Sequence, residues 1–119
     1  MLHILREVDL YSCKNIQIML NESQWPQTIS SAVDWIISTL DENQKQLIQE
    51  TKADDLIMLH FGLGMFIRNE LGLYRGNDAL MRDCAKSEGI DEKSYFAYDA
   101  DTASGVLSEA VWKRLNKLD

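Results

Sequence analysis

The stretch KADDLIMLHFGLGMFIRNEL, residues 52–71, decides the fold class of this chain. Its apolar residues recur at helical spacing and lie on two opposite faces of the helix that this spacing predicts. Because a helix that is apolar on every side is normally buried, we predict a central helix over about 52–71 that other helices cover on both sides. One face holds Leu56, Leu59, Leu63, Phe66 and Ile67, and the other holds Met58, Phe61 and Met65.

Helical spacing also recurs before and after this stretch. Gly72 is expected to end the central helix, because glycine adopts the left-handed conformation at a helix C-terminus without steric cost. Trp35 lies off the apolar stripe of its own helix, so we expect it to contact another element. The pattern predicts a mainly α, compact bundle of about five or six helices. The residues predicted to cap the other helices are Thr28 or Ser30, Asp41, Thr51, Asn77 or Asp78, and Asp101 or Thr102.

The first residues of the chain leave two structures open. Leu2, Ile4, Val8 and Leu10 alternate with polar residues, which favours a short N-terminal β-hairpin. Leu2 and Val8 also fit a helical stripe together with Leu5. We predict a single domain over residues 1–119, with residues 1–24 as an extension or hairpin and residues 25–118 as the helical part.

Charge and composition exclude several classes of function. The net charge is −7, which argues against nucleic-acid binding and against binding to anionic membranes but permits a basic protein partner. No apolar run approaches the roughly 20 residues of a membrane span, and the N-terminus does not resemble a secretion signal, so we expect a cytoplasmic protein. Cys13 and Cys84 lack the spacing of a zinc site, and we expect two reduced thiols.

A polar group of residues interrupts the apolar central stretch and the turn after it: His60, Arg68, Asn69 and Asn77. His60 and Arg68 lie two helical turns apart near one edge of the predicted helix. The group is either a structural network or a ligand site in a small enzyme or ligand-binding domain. A buried arginine needs a carboxylate partner. The candidates for that partner are Asp34, Asp78, Asp83 and Glu109.

Two glycines, Gly62 and Gly64, lie inside the same predicted helix. Each costs about 1 kcal/mol of helix stability relative to alanine, so a compensating role is expected. That role is either the close approach of a neighbouring helix or space for a ligand.

An acidic and aromatic loop precedes the last helix. Tyr95, Phe96, Tyr98, Asp99 and Asp101 combine large contact area with negative charge, which is typical of a protein interface. The alternative is that Phe96 and one tyrosine anchor the loop to the core. The loop lacks the ligand spacing of a calcium site. We predict no catalytic residues, no metal site and no cofactor.

Four segments resemble an uncharacterised bacterial family of domains of unknown function. They are the AVDW helix at 32–35, the LHxxLGxxIRN stretch at 59–69, the GLYRGN turn at 72–77 and the C-terminal motif ending in AVWKRL at 103–115. The resemblance covers roughly residues 25–118 and implies no activity. Small domains of this kind often occur beside toxin genes, which suggests an immunity protein.

Two functions follow from these observations as hypotheses. The first is a small acidic protein-binding domain, in the form of an immunity- or antitoxin-like inhibitor of a basic protein, with the aromatic loop as its interface. The second is a small enzyme or ligand-binding domain that uses the polar cluster of His60, Arg68 and Asn69. It requires an open pocket beside Gly62 and Gly64.

Overall fold

Apolar periodicity and capping residues place helices along most of the chain, and the mainly helical fold class is confirmed. The computed structural model describes residues 20–118, except for the side chain of Phe96. In that range there is no β-strand, and the predicted N-terminal hairpin falls outside it. The α-helices are α1 (Ile29–Thr39), α2 (Glu42–Glu50), α3 (Met65–Glu70), α4 (Asp78–Ser87) and α5 (Ala100–Leu115). The 3-10 helices are Glu22–Gln24, Ala53–Leu59 and Tyr95–Tyr98, and His60–Gly64 is a π-helix.

Three helices begin at a predicted capping residue. The Thr28 hydroxyl accepts a hydrogen bond from the amide of the third residue of α1 (3.1 Å), and Asp41 does the same for α2 (2.8 Å). The Asn77 side chain accepts a longer bond, 3.3 Å, at the start of α4. Each cap pairs an amide that has no partner inside its helix, which is why these residue types mark helix starts.

Two predicted caps are wrong. Thr51 ends α2 and does not begin the next helix, which is preceded by Lys52. The cap of α5 is Asp99, and not Asp101 or Thr102. The Asp99 carboxylate accepts hydrogen bonds from the Thr102 amide (3.3 Å) and the Thr102 hydroxyl (2.6 Å), so α5 begins earlier than predicted.

The predicted central helix is observed as one continuous helical segment over residues 53–70, which we call the central segment. It consists of a 3-10 helix, a π-helix and α3 in succession. Its buried face is the predicted one and includes Leu59, Leu63 and Phe66. The opposite face, predicted to be buried as well, is not covered: Phe61 and Met65 are 63% and 42% exposed, and Met58 is half-buried. Ile57, which was assigned to neither predicted face, is 74% exposed. The prediction of two covered faces is therefore wrong, because the described helices pack on one side of the segment.

The last helix, α5, contacts every other α-helix of the described chain. It packs against α1, α2, α4 and each part of the central segment. Leu107 and Val111 on α5 are fully buried, and the Trp112 indole donates a hydrogen bond to the Thr51 carbonyl (2.7 Å). Trp35 contacts another element as predicted, since its ring stacks on Phe66 with centroids 5.9 Å apart. The bundle is therefore organised around α5 and the buried face of the central segment.

Gly72 ends the central segment as predicted, with a positive φ of 74°. The Trp25 ring lies directly against its α-carbon, and a β-carbon built at Gly72 would overlap the indole. Glycine is therefore needed here for its backbone conformation and for its lack of a side chain. Among residues 20–118, no helix has the length and apolar character needed to cross a membrane.

Replacing Gly72 with alanine should cost more stability than replacing Gly89. Gly89 has the same φ of 74°, but a β-carbon there meets nothing within 4 Å. Gly89→Ala should lose about 1 kcal/mol from backbone strain alone. Gly72→Ala should lose a further ~1–3 kcal/mol from the overlap with Trp25. Urea denaturation measures both, and equal losses would contradict the packing of Trp25 on Gly72.

Candidate functional site

A solvent-open groove of about 480 Å³ runs between the central segment and α5. This volume lies in the range of roughly 300–1,000 Å³ that is usual for binding pockets. The groove is lined by Leu56, Ile57, His60 and Gly64 of the central segment, by Glu88 after α4, and by Asp101, Thr102, Ser104, Gly105, Val106, Ser108 and Glu109 of α5.

The buried guanidinium of Arg68 lies beside the groove and joins its two walls. Its side chain is 7% exposed. Its Nη1 donates a hydrogen bond to the Ser104 hydroxyl (2.9 Å) and lies 3.3 Å from His60 Nδ1, while Nη2 donates to the His60 carbonyl (3.3 Å). The Asp101 carboxylate is 3.8 Å from Arg68 Nε. These contacts connect the π-helix to the first turns of α5.

None of the four predicted carboxylates pairs with Arg68. The partner is Asp101, which had been placed in the aromatic loop. Asp34 instead accepts a hydrogen bond from Arg114 (2.6 Å), and Asp83 accepts one from the Ile29 amide (2.8 Å). Asp101 can pair with Arg68 because α5 begins at Ala100, and the first turn of α5 therefore lies next to the π-helix.

The contact between Arg68 and His60 joins a guanidinium nitrogen to a ring nitrogen of the imidazole. A guanidinium only donates hydrogen bonds, so His60 Nδ1 is the acceptor in this contact. The Arg68 guanidinium and the His60 Nδ1 atom are thus engaged with each other. Together they stabilise the junction of the central segment and α5 by bonds made inside the protein.

Gly64 provides the space in which the Arg68 side chain lies. A β-carbon at Gly64 would lie 3.0 Å from Arg68 Nη1 and 3.8 Å from the Ser104 hydroxyl oxygen. The nearest side chain is that of Arg68 on the same segment and not one of a neighbouring helix, and Gly64 also lines the groove, so close helix approach and ligand space both stay predictions. Gly64 also closes the π-helix, a geometry that is frequent at functional sites.

The remaining predicted polar residues lie outside the groove lining. Asn77 is 4% exposed, and its side chain links the turn after the central segment to the residues before α1. Its amide nitrogen donates to the Leu71 carbonyl (2.7 Å) and to the Pro26 carbonyl (3.0 Å). Asn69 is exposed, and its backbone carbonyl accepts a hydrogen bond from Arg75 (3.1 Å).

The structure separates the residues of the predicted aromatic interface. Tyr95 and Tyr98 are 89% and 41% exposed. A hydrogen bond with the Tyr98 side chain raises the pKa of Arg82 on α4, so this tyrosine ties the loop to its neighbouring helix. Asp99 serves as the cap of α5, and Asp101 belongs to the groove. The predicted contact of Phe96 with the core involves its side chain, which is not among the described parts of the chain.

An apolar ridge borders the groove. Ile57, Phe61 and Met65 follow one another at every fourth residue along the exposed face of the central segment, and Ile57 also lines the groove. The Phe61 ring meets the His60 ring edge to face, with centroids 5.0 Å apart. The predicted apolar pattern contained Phe61 and Met65 of this ridge, but not Ile57, and assigned them to the core, because periodicity shows that a face is apolar and not what covers it.

Carboxylates dominate the charge of the groove lining. Glu88, Asp101 and Glu109 contribute three negative groups, and Glu109 also lies 3.4 Å from Lys113 in an exposed pair. Ser108 is 6% exposed, and its hydroxyl has no hydrogen-bond partner in the described part of the chain. Among the described residues no group of three or more His, Cys, Asp and Glu side chains is arranged for a metal ion.

Cys84 is a buried free thiol, as predicted for this residue. Burial, together with the nearby Asp83 and Glu88 carboxylates, raises its pKa to about 12. Because the thiolate is the reactive form, this side chain is not a nucleophile near neutral pH. Cys13 lies outside the described residues.

Replacing Gly105 with alanine should stabilise the protein by about 0.5–1 kcal/mol, the helix-propensity difference between these residues. Gly105 is exposed within α5, and a β-carbon there meets nothing within 4 Å. Gly64→Ala is the matched control, because its β-carbon would lie 3.0 Å from Arg68 Nη1 and should cancel part or all of the gain. Equal stabilisation by both variants, measured by urea denaturation, would contradict the position of the guanidinium over Gly64.

Comparison with known proteins identifies a family domain in this chain but no activity. A family model described as a domain of unknown function, DUF6794, matches residues 25–115. No curated protein and no solved structure matches the chain. The matched residues contain all five described α-helices and the whole groove lining. The groove is therefore part of the family domain.

Proposed function

This chain belongs to the DUF6794 family, and we propose that it is a protein-binding domain whose partner is a basic protein. The interface consists of the apolar ridge and the groove beside it. The observation that carries the proposal is the ridge, because three large apolar side chains lie in a row on the surface of a helical segment. Exposed apolar groups that are contiguous and rimmed by polar residues mark interaction sites.

The charge of the protein supports a partner of opposite sign. The net charge is −7, and the groove beside the ridge carries the carboxylates of Glu88, Asp101 and Glu109. Complementary charge steers the encounter of two proteins and disfavours partners of the same sign. The exposed Tyr95 extends the available contact area on another part of the surface.

The alternative function, a small enzyme or ligand-binding domain built on His60, Arg68 and Asn69, has weaker support. The groove beside Gly64 is the open pocket that this alternative requires. However, Arg68 and the Nδ1 atom of His60 are bonded to each other, and Asn69 is not in the lining. The groove therefore offers shape and negative charge more than reactive groups.

An inhibitory role of the immunity or antitoxin type is the form of binding that we propose. A compact acidic domain that covers the active surface of a basic enzyme would act by occlusion, and it needs no catalytic group of its own. We propose a cytoplasmic location in a bacterial cell for this role.

Photo-cross-linking from the ridge tests the proposal. With p-benzoylphenylalanine in place of Phe61, ultraviolet light should join the chain in cells to a protein of net positive charge. The same group at Tyr74, which is 65% exposed and lies outside the groove lining, should not join that protein. Calorimetry with the purified partner should show that Phe61→Ser weakens binding by about tenfold or more, the loss expected at the centre of an interface.

The control for this measurement is Tyr74→Ser, which should change the affinity by less than about twofold, as expected of a residue outside the interface. Both variants should unfold at the temperature of the parent, because both side chains are largely exposed. Cross-linking from both positions alike, or to no basic protein, would overturn the proposal.

A further inference from the structure

We propose that the groove receives an amphipathic helix of the partner and binds one lysine or arginine side chain of that helix. This inference rests on the proposed function and specifies the partner surface that the groove recognises. Its three supports are the charge of the groove lining, an unpartnered buried hydroxyl and the helical shape of the walls.

The charge balance of the groove favours a cation. The buried guanidinium of Arg68 is matched by Asp101, which leaves Glu88 and Glu109 as further negative groups. Lys113 lies 3.4 Å from Glu109, but both side chains are about half exposed. Such an exposed pair is weak and can exchange for a partner's cation without a large cost.

Ser108 offers a hydrogen-bonding group that the described chain leaves unused. Its hydroxyl is buried, has no partner, and belongs to a residue that lines the groove. Buried polar groups in folded proteins nearly always have a partner. An ammonium or guanidinium group in the groove supplies donors that this oxygen accepts, so a bound lysine or arginine would satisfy it.

The walls of the groove fit a third helix. Both walls are helical, and the exposed Gly105 of α5 has no side chain that would keep a partner helix away from the groove. No strand edge is present in residues 20–118, so the partner has no sheet to extend there. A helix that lays its apolar side on the ridge of Ile57, Phe61 and Met65 would direct its polar edge into the groove, which is the helix-in-groove mode of recognition.

A helix-biased peptide library displayed on phage, selected against the full-length protein, tests this inference. The library should yield helical peptides that carry a lysine or arginine beside apolar residues. The best peptide, made synthetically, should bind more weakly by about tenfold when its basic residue is replaced by norleucine, which keeps the apolar stem but removes the charge. In amide NMR spectra the peptide should shift the signals of Gly64, Gly105 and Ser108.

Two variants of the protein should weaken peptide binding. Glu88→Gln with Glu109→Gln removes negative charge, and Gly105→Met fills the groove from an exposed helix position. Asn43→Met is the matched control, because it adds the same side chain at an exposed position of α2 outside the groove lining. Each groove variant should reduce the affinity by about tenfold, the loss expected for a central contact, and the control should not.

The outcomes separate this inference from the proposed function. Peptides without a basic residue, or peptide binding that Gly105→Met leaves unchanged, would overturn the groove as the recognition site. Binding of spermidine in the groove with no selected peptide would overturn the helical occupant. Loss of partner binding by Phe61→Ser but not by the groove variants would leave the proposed function standing and this inference refuted.

Discussion

The burial of one guanidinium group constrains the whole molecule. An arginine taken out of water without partners would destabilise the fold by several kcal/mol. Arg68 avoids this cost through His60, Ser104 and Asp101, and two of those three residues belong to α5. The requirement to pair this charge therefore fixes where the last helix crosses the central segment.

That crossing determines both the core and the surface. Because α5 lies against the central segment, the apolar face with Leu63 and Phe66 is sealed, and the Trp35 ring stacks on Phe66 from α1. The opposite face receives no helix from the described chain, and Phe61 stays in solvent. The groove is the space between the two elements, and Gly64 and Gly105 are among the residues that line it.

Local signals in the sequence predicted the local structure well. Thr28, Asp41 and Asn77 cap helices, and Gly72 ends one, because each of these roles depends on a residue type and its immediate neighbours. Contacts between residues far apart in the sequence could not be predicted from such local signals. The partner of Arg68 depends on where α5 crosses the central segment, and that crossing is set by contacts between residues far apart in the sequence.

The same limit explains the error about the second apolar face. Apolar spacing predicted that Phe61 and Met65 share a face, and both are exposed on the same side of the central segment. Whether another helix covers that face depends on the packing of the entire bundle, which the spacing of apolar residues does not determine. A double-mutant cycle between Arg68→Met and Ser104→Ala, followed by urea denaturation, tests the central constraint. It should show a coupling energy of about 1–2 kcal/mol, whereas the control cycle of Ser104→Ala with Arg114→Met, about 15 Å away along α5, should be additive. Additivity in the first cycle would contradict the account.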